Sequence, residues 1–576
     1  MDQKTASVLL ASLLERIERD NAIGVVSSLE KRALQLALQA LSGDAGPALV
    51  PTIAPPRPGS DGMAPPDDVP APPPAATPQT FSLPNVDLDL TSLDRGTPAN
   101  PGVMLCLDFG TAMSKAFAMT SSEQHFELPL GAIAGRQGYA LPSSVFIGDN
   151  GKAYFGFEAI ELSQELVESG RERLDSIKHW LSLRREGNLD GESCVLQPAL
   201  NPITSVKLTQ GDLIRIYLAY LTDMAGIALG QLEIDGVRIE RLVKRRFARP
   251  CWPDENQAKW ADALMRSMIA EAQILADTFS RRWSGGIDVT ELKAAVEKVK
   301  ALTSRPDYVI EEGVPEPVAV AAGAFGSIEN LRDAFMVVDV GAGTTDFGLF
   351  VSTRRQNEET VRVFQVPASI QGLMQAGDKV DGMLRVFIAQ RESIDTADSA
   401  GRMNMADLTR KIRSLKETLF KAGQVEYALA DGTVGHLTVE GFLADERVTR
   451  FAAAIEEGFT KSLEALDASW LRWLSAPGVR LRVVLTGGSS QLPMVKGLTE
   501  GAIQVKDFRI QREPVDPRPE WMDDVSDELR EVYPQLAVAI GGAAEKMPQS
   551  LTAPPVFGGG TSQTSYVAGR LQISGG

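Results

Sequence analysis

Two carboxylates flank a turn of very small residues in the stretch MVVDVGAGTTDFGLF, which covers residues 336–350. One apolar run ends at Asp339, and a second begins after Asp346. The apolar runs predict two buried strands that form a hairpin. The turn between them lets a ligand approach backbone N–H groups closely, and it consists of Gly341, Ala342, Gly343, Thr344 and Thr345.

The residue types in this hairpin fit a phosphate group and a divalent cation. Threonine hydroxyls can donate hydrogen bonds to phosphate oxygens. Carboxylates beside a phosphate are stable only when a cation lies between them, and Asp339 and Asp346 could hold Mg²⁺ directly or through water. The alternative interpretation is an ordinary β-hairpin with a glycine-rich turn.

Two further stretches repeat parts of this chemistry. The stretch VMLCLDFGTAMSKAFAM, residues 103–119, again joins two apolar runs, here through Asp108, Gly110, Thr111, Ala112 and Lys115. The stretch LRVVLTGGSSQLPMVKGL, residues 481–498, is a buried strand followed by Gly487, Gly488 and Ser489 and then by a predicted helix. Each motif alone is weak. The three in this order predict a nucleotide held between two lobes.

Composition excludes several other classes of site. The chain has 576 residues and a net charge of −17, and its basic clusters are too short to predict a nucleic-acid partner. Three cysteines and three histidines, widely spaced, predict neither a disulfide framework nor a zinc or iron–sulfur site. No apolar run is long enough to span a membrane, and residues 8–14 lack the pattern of a signal peptide. We therefore expect a cytoplasmic protein.

The chain divides by composition into a short N-terminal segment, a linker and a body. Residues 1–43 predict two amphipathic helices, too small to fold stably alone. We expect them to bind a protein partner, a second copy of the chain or the body of their own chain. Residues 44–100 predict a disordered linker, because residues 47–78 contain 12 prolines. The body begins near Pro101. A further helix is predicted over residues 288–302.

The order and content of the three motifs resemble the actin and DnaK-type heat-shock ATPase superfamily over residues 101–547. LDFGTAMSK resembles its first phosphate motif, VVDVGAGTTD its second, and LTGGSSQLP its adenosine motif. The resemblance implies an α/β, two-lobed actin-like ATPase fold built from duplicated ribonuclease-H-like lobes, and the N-terminal helical pair on its Pro-rich linker would precede it. It implies lobe I at 101–330 with a small subdomain at about 146–207, lobe II at 331–547 with a small subdomain at about 371–455, and a C-terminal tail at 548–576.

The same resemblance assigns roles to single residues. SIKHWL resembles the segment that carries the catalytic lysine, here Lys178, and VPEPVAVAAGA resembles the segment that places Glu316 near the attacking water. The implied catalytic set is Lys178, Glu316, Asp339, Thr344 and Asp346, and the implied Mg²⁺ set, mainly through water, is Asp108, Asp339 and Asp346. The phosphates would lie on Gly110, Thr111, Ala112, Lys115, Gly341, Ala342, Gly343 and Thr345, and the adenosine on Lys416, Glu417, Gly487, Gly488, Ser489 and Gln491.

The sequence also departs from the DnaK pattern. Glu417 and Gln491 stand where DnaK-like proteins have arginines around the adenine, whereas LKETLF resembles the Lys-Glu pair of actin, and Lys115 fits actin better. About thirty residues follow Glu545, so we expect no DnaK-type peptide-binding domain. We expect a slow Mg-dependent ATPase, with ATP or ADP and Mg²⁺ as cofactors, that acts as a conformational switch for a partner protein. The alternative is an actin or MreB-like ATPase that forms filaments.

Overall fold

The computed structural model describes residues 82–164, 171–183, 189–252, 254–324, 333–353 and 362–554. These residues all belong to one unit of the chain, which begins at Thr80. The predicted helices of residues 1–43, most of the predicted linker, and residues 555–576 of the tail lie outside the described residues.

Strands and helices alternate along the described chain, which confirms the predicted α/β class. The strands are β1 (Val103–Asp108), β2 (Met113–Thr120), β3 (His125–Glu127), β4 (Ala140–Pro142), β5 (Val145–Ile147), β6 (Lys152–Phe155), β7 (Glu233–Ile234), β8 (Val237–Arg238), β9 (Lys244–Arg249), β10 (Ile287–Asp288), β11 (Val314–Pro315), β12 (Asp333–Val340), β13 (Thr345–Thr353), β14 (Arg362–Gln365), β15 (Gln371–Leu373), β16 (Gln424–Ala428), β17 (Val434–Thr438), β18 (Arg480–Thr486), β19 (Gly501–Val505), β20 (Phe508–Val515) and β21 (Gln549–Ser550).

The α-helices cover the faces of the sheets and connect their strands. They are α1 (Thr91–Arg95), α2 (Leu130–Ile133), α3 (Gly156–Gln164), α4 (His179–Leu183), α5 (Gln210–Leu229), α6 (Glu255–Thr278), α7 (Val289–Lys300), α8 (Glu316–Ala324), α9 (Gly377–Arg391), α10 (Ser399–Ala422), α11 (Val439–Leu443), α12 (Glu446–Glu464), α13 (Ala468–Leu474), α14 (Pro493–Lys496) and α15 (Asp527–Gly542). Helix α7 confirms the helix predicted over residues 288–302.

The two large sheets repeat one strand pattern. The first has the order β11-β9-β1-β2-β3, and the second contains the order β20-β18-β12-β13-β14. In both, an antiparallel meander of three strands is followed by two parallel strands added beside its first strand. The first hairpin of each meander, β1–β2 or β12–β13, carries one of the two predicted phosphate motifs.

The apolar runs of the sequence follow from burial of the sheets on both faces. In β12, Met336 and Val338 pack into one apolar cluster, and the alternating residues Phe335 and Val337 pack into another. A strand buried on both faces is apolar at every position rather than at every second one. This explains why the sequence around Asp339 contains so few other polar residues.

Helices α8 and α15 pack closely between the two sheets. Their residues form one apolar cluster with side chains from both sheets, including Phe117 of β2 and Phe335 of β12. The helices cross at glycines, since a Cβ added at Gly541 would lie 1.7 Å from the carbonyl oxygen of Ala319. This crossing ties α8, which begins at Glu316, to both sheets.

The last part of the predicted linker differs from a disordered spacer. Residues 82–100 include α1, and Val86 is buried in the same apolar cluster as the first sheet. Tyr308 donates a hydrogen bond to the carbonyl oxygen of Ser92 at 2.5 Å, and the N–H of Ala99 donates to Leu242 at 2.7 Å. The high proline content of the whole linker does not indicate this packing. A few buried side chains are enough to fix a short segment against the body.

Candidate functional site

The turns of the two phosphate-motif hairpins face each other at close range. A Cβ added at Gly343 would lie 2.7 Å from Oγ1 of Thr111, too close for any side chain. Glycine at this position therefore lets the two turns approach. The two motifs are more than two hundred residues apart in the chain, and the fold brings both to one cleft.

The first hairpin pairs opposite charges. Asp108 and Lys115 are directly opposite each other across β1 and β2. Nζ of Lys115 donates to Oδ2 of Asp108 at 3.1 Å, and the two side chains are 14% and 6% exposed respectively. The Asp108 carboxylate thus has a cation beside it without any ligand.

The second hairpin pairs like charges. Asp339 and Asp346 are directly opposite across β12 and β13, and both are buried. Oδ1 of Asp339 accepts from the Thr486 hydroxyl at 2.9 Å, and Oδ1 of Asp346 accepts from the N–H of Cys251 at 2.6 Å. Among the described residues, Oδ2 of Asp346 is buried without a hydrogen-bond donor.

Burial makes the ionised forms of both carboxyls unfavourable. Burial, followed by the charge of Glu316, raises the pKa of Asp339 to about 7. The same two causes raise the pKa of Asp346 well above its usual value, and the hydrogen bond from Cys251 opposes them. Two buried carboxyls with raised pKa values in a cleft are typical of a functional site rather than of a structural hairpin.

Lys178 and Glu316 form a buried ion pair beside the two hairpins. Nζ of Lys178 donates to Oε1 of Glu316 at 2.7 Å, and the side chains are 5% and 9% exposed. Burial lowers the pKa of Lys178, but the charges of Glu316 and Asp108 outweigh it and raise the pKa overall. Lys178 lies in the turn before α4, and Glu316 is the first residue of α8. The lysine therefore stays charged inside the cleft.

The third motif lies at the end of the second sheet. The N–H of Ser489 donates to the carbonyl oxygen of Val340, at the end of β12, at 2.9 Å. On α10, Nζ of Lys416 lies 2.9 Å from Oδ1 of Asp381 and donates to the carbonyl oxygen of Gly377 at 3.3 Å. The Gly-Gly turn and the Lys-Glu pair of α10 are thereby held at the same cleft.

The cleft has a cavity of about 160 Å³. The predicted residues that line it are Asp108, Gly110, Thr111, Ala112, Lys115, Lys178, Glu316, Asp339, Gly341, Ala342, Gly343, Thr344, Lys416, Glu417, Gly487, Gly488 and Ser489. Thr345 and Asp346 are fully buried and belong to the strand that borders the turn. The hydroxyl of Thr345 donates to the carbonyl oxygen of Gln375 at 2.6 Å, so this threonine anchors the turn to the next segment.

Gln491 is a predicted residue that lies away from this cleft. It lines a different cavity of about 490 Å³, together with Lys496 and Arg518. The chain turns at Gly487, where φ is +87°, and Gln491 follows after that turn. Sequence adjacency to the Gly-Gly turn was thus a poor guide to its position.

Four lining residues were missed by the sequence interpretation: Met113, Arg413, Gln535 and Val538. Arg413 could have been found, because it precedes Lys416 by three positions on α10 and so shares its helical face. Gln535 and Val538 lie on α15, and nothing in the sequence of that helix indicates which face meets the cleft.

The donor set of the cleft fits Mg²⁺ held largely through water. Among the described residues, no group of three or more His, Cys, Asp or Glu side chains is close enough together to bind a metal ion directly. Mg²⁺ is commonly bound by one or two carboxylates while it keeps several waters. Asp339, and Asp346 with its free buried oxygen, meet that requirement, and Asp108 lines the same cleft.

Comparison with known proteins gives one partial similarity. The chain is 29% identical over 192 residues to the "Chaperone protein HscA homolog" of Shewanella sediminis (strain HAW-EB3). The match covers 32% of this chain and 27% of that protein, so it spans about a quarter of the relative's length. No family model matches the chain. The similarity supports the resemblance to the actin and DnaK-type ATPase superfamily and extends no further.

In the described part of the chain, no helix has both the length and the apolar character needed to cross a membrane.

Proposed function

We propose that this protein is a Mg²⁺-dependent ATPase of the two-lobed actin-like type that acts as a nucleotide-driven switch for a partner protein. The observation that carries the proposal is the pair of facing hairpins, of which the second contains two buried carboxylates directly opposite each other, Asp339 and Asp346. A structural hairpin gains nothing from such a pair, because each buried charge is costly without a cation.

The proposed lobes follow from the repeated strand pattern. Lobe I would comprise residues 101–330 and lobe II residues 331–547, since each phosphate hairpin and the other strands of its large sheet fall within one of these ranges, with one exception. Strand β21, at residues 549–550, lies beyond residue 547 but pairs with β14 of the second sheet. The small subdomains would be formed by residues 146–207 and 371–455. The smaller sheets β10-β6-β5 and β16-β17 support this assignment, although β10 comes from outside the first range.

In the proposed reaction, the protein acts by position and charge. The backbone N–H groups of Gly110–Ala112 and Gly341–Thr344 would bind the β- and γ-phosphates, and Thr111 and Thr344 would add hydroxyls. Lys178 would stabilise negative charge on the γ-phosphate, with Lys115 on the other side of the phosphates. Mg²⁺ would neutralise phosphate charge when bound.

Glu316 would accept a hydrogen bond from the attacking water and so orient it. Its ion pair with Lys178 at 2.7 Å supports this role, because the pair fixes both side chains where charge develops during phosphoryl transfer. On the other side of the cleft, Lys416, Glu417 and Gly487–Ser489 would bind the nucleoside. The presence of Arg413 among the lining residues supports a further cationic contact to phosphate or ribose.

The direct test is phosphate release from ATP by the purified full chain, with Mg²⁺ and with EDTA. We expect slow, Mg²⁺-dependent hydrolysis that stops in EDTA. Absence of hydrolysis above the rate without protein, at several ATP concentrations, would overturn the proposal.

A filament-forming ATPase is the second candidate. Lys115 in the cleft and the Lys416-Glu417 pair favour it, since both resemble actin more than DnaK. High-speed sedimentation with and without Mg-ATP separates the two candidates. A switch stays in the supernatant under both conditions, whereas a filament pellets only with nucleotide.

We also propose that residues 1–43 capture a protein partner or a second copy of the chain, and that the Pro-rich segment serves as their tether. The packing of residues 82–100 against the body moves the useful truncation point to residue 81. Removing residues 1–81 should leave the ATPase rate and melting temperature unchanged while abolishing partner capture or self-association. A large fall in melting temperature, measured by thermal unfolding, would contradict this role.

A further inference from the structure

Lys178 owes its position to a short loop with an unusual backbone. Ser176, two residues before Lys178, has φ of +58°, a left-handed conformation that is uncommon for a residue other than glycine. The N–H of His179 donates to the carbonyl oxygen of Ser176 at 2.9 Å, which closes a turn around Ile177 and Lys178. The direction of the Lys178 side chain therefore depends on the conformation held at Ser176.

Before Ser176, the loop is attached to its own part of the fold. Leu174 exchanges backbone hydrogen bonds with Val145. Oδ1 of Asp175 accepts from Nε of Arg173 at 2.8 Å and from the hydroxyl of Ser144 at 2.5 Å. These contacts fix the loop up to Asp175 but do not hold the next residue.

The contact that holds Ser176 comes from the other side of the cleft. Its hydroxyl donates to Oδ2 of Asp378 at 2.8 Å, and Asp378 is 202 positions further along the chain, in the first turn of α9. The Asp378 side chain is about one-third exposed, at 32%. A hydrogen bond from a hydroxyl to a carboxylate is charge-assisted.

Asp378 is itself attached to two parts of the nucleotide site. Its backbone N–H donates to the carbonyl oxygen of Ala342, in the second phosphate turn, at 2.8 Å. Its other oxygen, Oδ1, accepts from NH2 of Arg413 at 3.2 Å. One residue thus connects the second phosphate turn, the cationic face of α10 and the loop that carries Lys178.

We propose that Asp378 is a positioning residue: through Ser176 it holds Lys178 over the phosphates and keeps the cleft closed across the Ser176–Asp378 contact. This inference rests on the proposed ATPase function. It predicts that breaking the contact slows hydrolysis of bound ATP and also speeds release of the nucleotide, because one bond serves both purposes.

The experiment uses the full chain with three single variants: Asp378→Ala, Ser176→Ala and Ser176→Gly. We expect the hydrolysis rate at saturating Mg-ATP to fall about 10-fold in each, the size of one charge-assisted hydrogen bond. ADP release, followed by stopped-flow displacement of a fluorescent ADP analogue, should become several-fold faster. Ser176→Gly loses the hydroxyl but accepts a positive φ, so it separates the loss of the bond from backbone strain.

Two controls make the result specific. Asp507→Ala removes an exposed carboxylate in the turn between β19 and β20, and should change neither rate. The double variant Ser176→Ala with Asp378→Ala should be no slower than Asp378→Ala alone, because both remove the same contact. If the double variant loses hydrolysis rate by the product of the two single losses, Ser176 and Asp378 do not act through one shared contact.

The outcomes separate the two proposals. Hydrolysis by the parental protein together with unchanged hydrolysis and release in Ser176→Gly would overturn the positioning role and leave the ATPase intact. A parental protein that neither binds nor hydrolyses ATP would overturn both. If Asp378→Ala fails to fold by circular dichroism, the two Ser176 variants carry the test, since they retain the bond between Asp378 and Arg413.

Discussion

The two phosphate-motif hairpins share a strand pattern but differ in how their charges are balanced. In the β1–β2 hairpin, Asp108 lies opposite Lys115, and the two form an ion pair at 3.1 Å. In the β12–β13 hairpin, Asp339 lies opposite Asp346, and both carboxyls are buried with raised pKa values. In the first hairpin the carboxylate charge is neutralised by a lysine on the neighbouring strand. In the second hairpin the strand pair supplies no such cation.

This difference indicates which side of the cleft depends on a ligand. An uncompensated pair of buried carboxyls lowers stability whenever both are ionised, and a bound cation removes that cost. The β1–β2 hairpin does not need a bound cation for stability, because Lys115 already neutralises Asp108. We therefore expect cation dependence to originate in the second hairpin, and changes in the first hairpin to alter phosphate binding without altering cation dependence.

The largest effect is expected from Asp339→Asn. The amide keeps the shape and can still accept from Thr486, but it loses the charge that would attract Mg²⁺. Affinity for Mg-ADP should fall about 100-fold or more, since a lost cation interaction is worth several kcal/mol. Fluorescence of a labelled ADP analogue measures this. Retention of parental affinity would show that the second hairpin does not hold the cation.

The next effect is expected from Lys178→Ala. Lys178 forms an ion pair with Glu316, and the charges of Asp108 and Asp346 also raise its pKa, so it lies near the carboxyls of both hairpins. Hydrolysis should slow by about 100-fold, while affinity for ATP changes only several-fold, because the charge matters most in the transition state.

The matched control for Lys178→Ala is Lys207→Ala. Lys207 forms a Lys–Glu pair with Glu192 on the surface, where the side chains are 65% and 82% exposed. Its removal should leave hydrolysis unchanged. If Lys178→Ala hydrolyses ATP at the parental rate, Lys178 has no role in the reaction.

A smaller effect is expected from Lys115→Ala in the β1–β2 hairpin. The change removes one cation beside the phosphates and leaves Asp108 without its partner, so ATP affinity should fall about 10-fold. The ratio of affinities with and without Mg²⁺ should stay at the parental value. A changed ratio, measured by competition with the labelled ADP analogue, would contradict the division between the hairpins.

The smallest effect is a pH dependence of stability in the absence of nucleotide. The folded-state pKa of Asp339, about 7, is above its usual value of 3.8, so its contribution to stability without metal is lost as pH rises from about 4 to 7. Mg²⁺ competes with the proton, so it should raise the melting temperature by several degrees at pH 8 and very little at pH 6.

The same Asp339→Asn variant provides the control for this pH effect. Without metal at pH 8 it should melt at a higher temperature than the parental protein, and Mg²⁺ should no longer stabilise it. If Mg²⁺ raises the melting temperature equally at pH 6 and pH 8, the ionisation of Asp339 is not the cause of the pH dependence.

Local patterns made the hairpins and most lining residues predictable. Small residues between two apolar runs predict a turn from the local sequence alone. The family resemblance then assigned the two turns, with positions such as Thr111 and Gly343, to one cleft. Gln491 could not be placed, because its position depends on the direction of the chain after Gly487. The α/β class is confirmed, whereas the domain boundaries and the roles of the site residues stay predictions.

Long-range backbone contacts were beyond reach of the sequence. The N–H of Cys251 donates to Asp346, and the hydroxyl of Ser176 donates to Asp378. Cys251 belongs to no recognisable motif, and the SIKHWL motif that begins at Ser176 does not indicate a partner 202 positions further along the chain. The packing of residues 82–100 was missed for a related reason: overall composition predicted a spacer, while single buried residues such as Val86 determine the contact.

Calorimetric titration of the full chain with ADP, once in Mg²⁺ and once in EDTA, tests most directly whether the second hairpin binds a cation with the nucleotide. We predict one site per chain with Mg²⁺, affinity lower by about 100-fold or more in EDTA, and no difference between the two conditions in Asp339→Asn. Binding of equal strength with Mg²⁺ and EDTA in the parental protein, or no binding in either, would contradict this prediction.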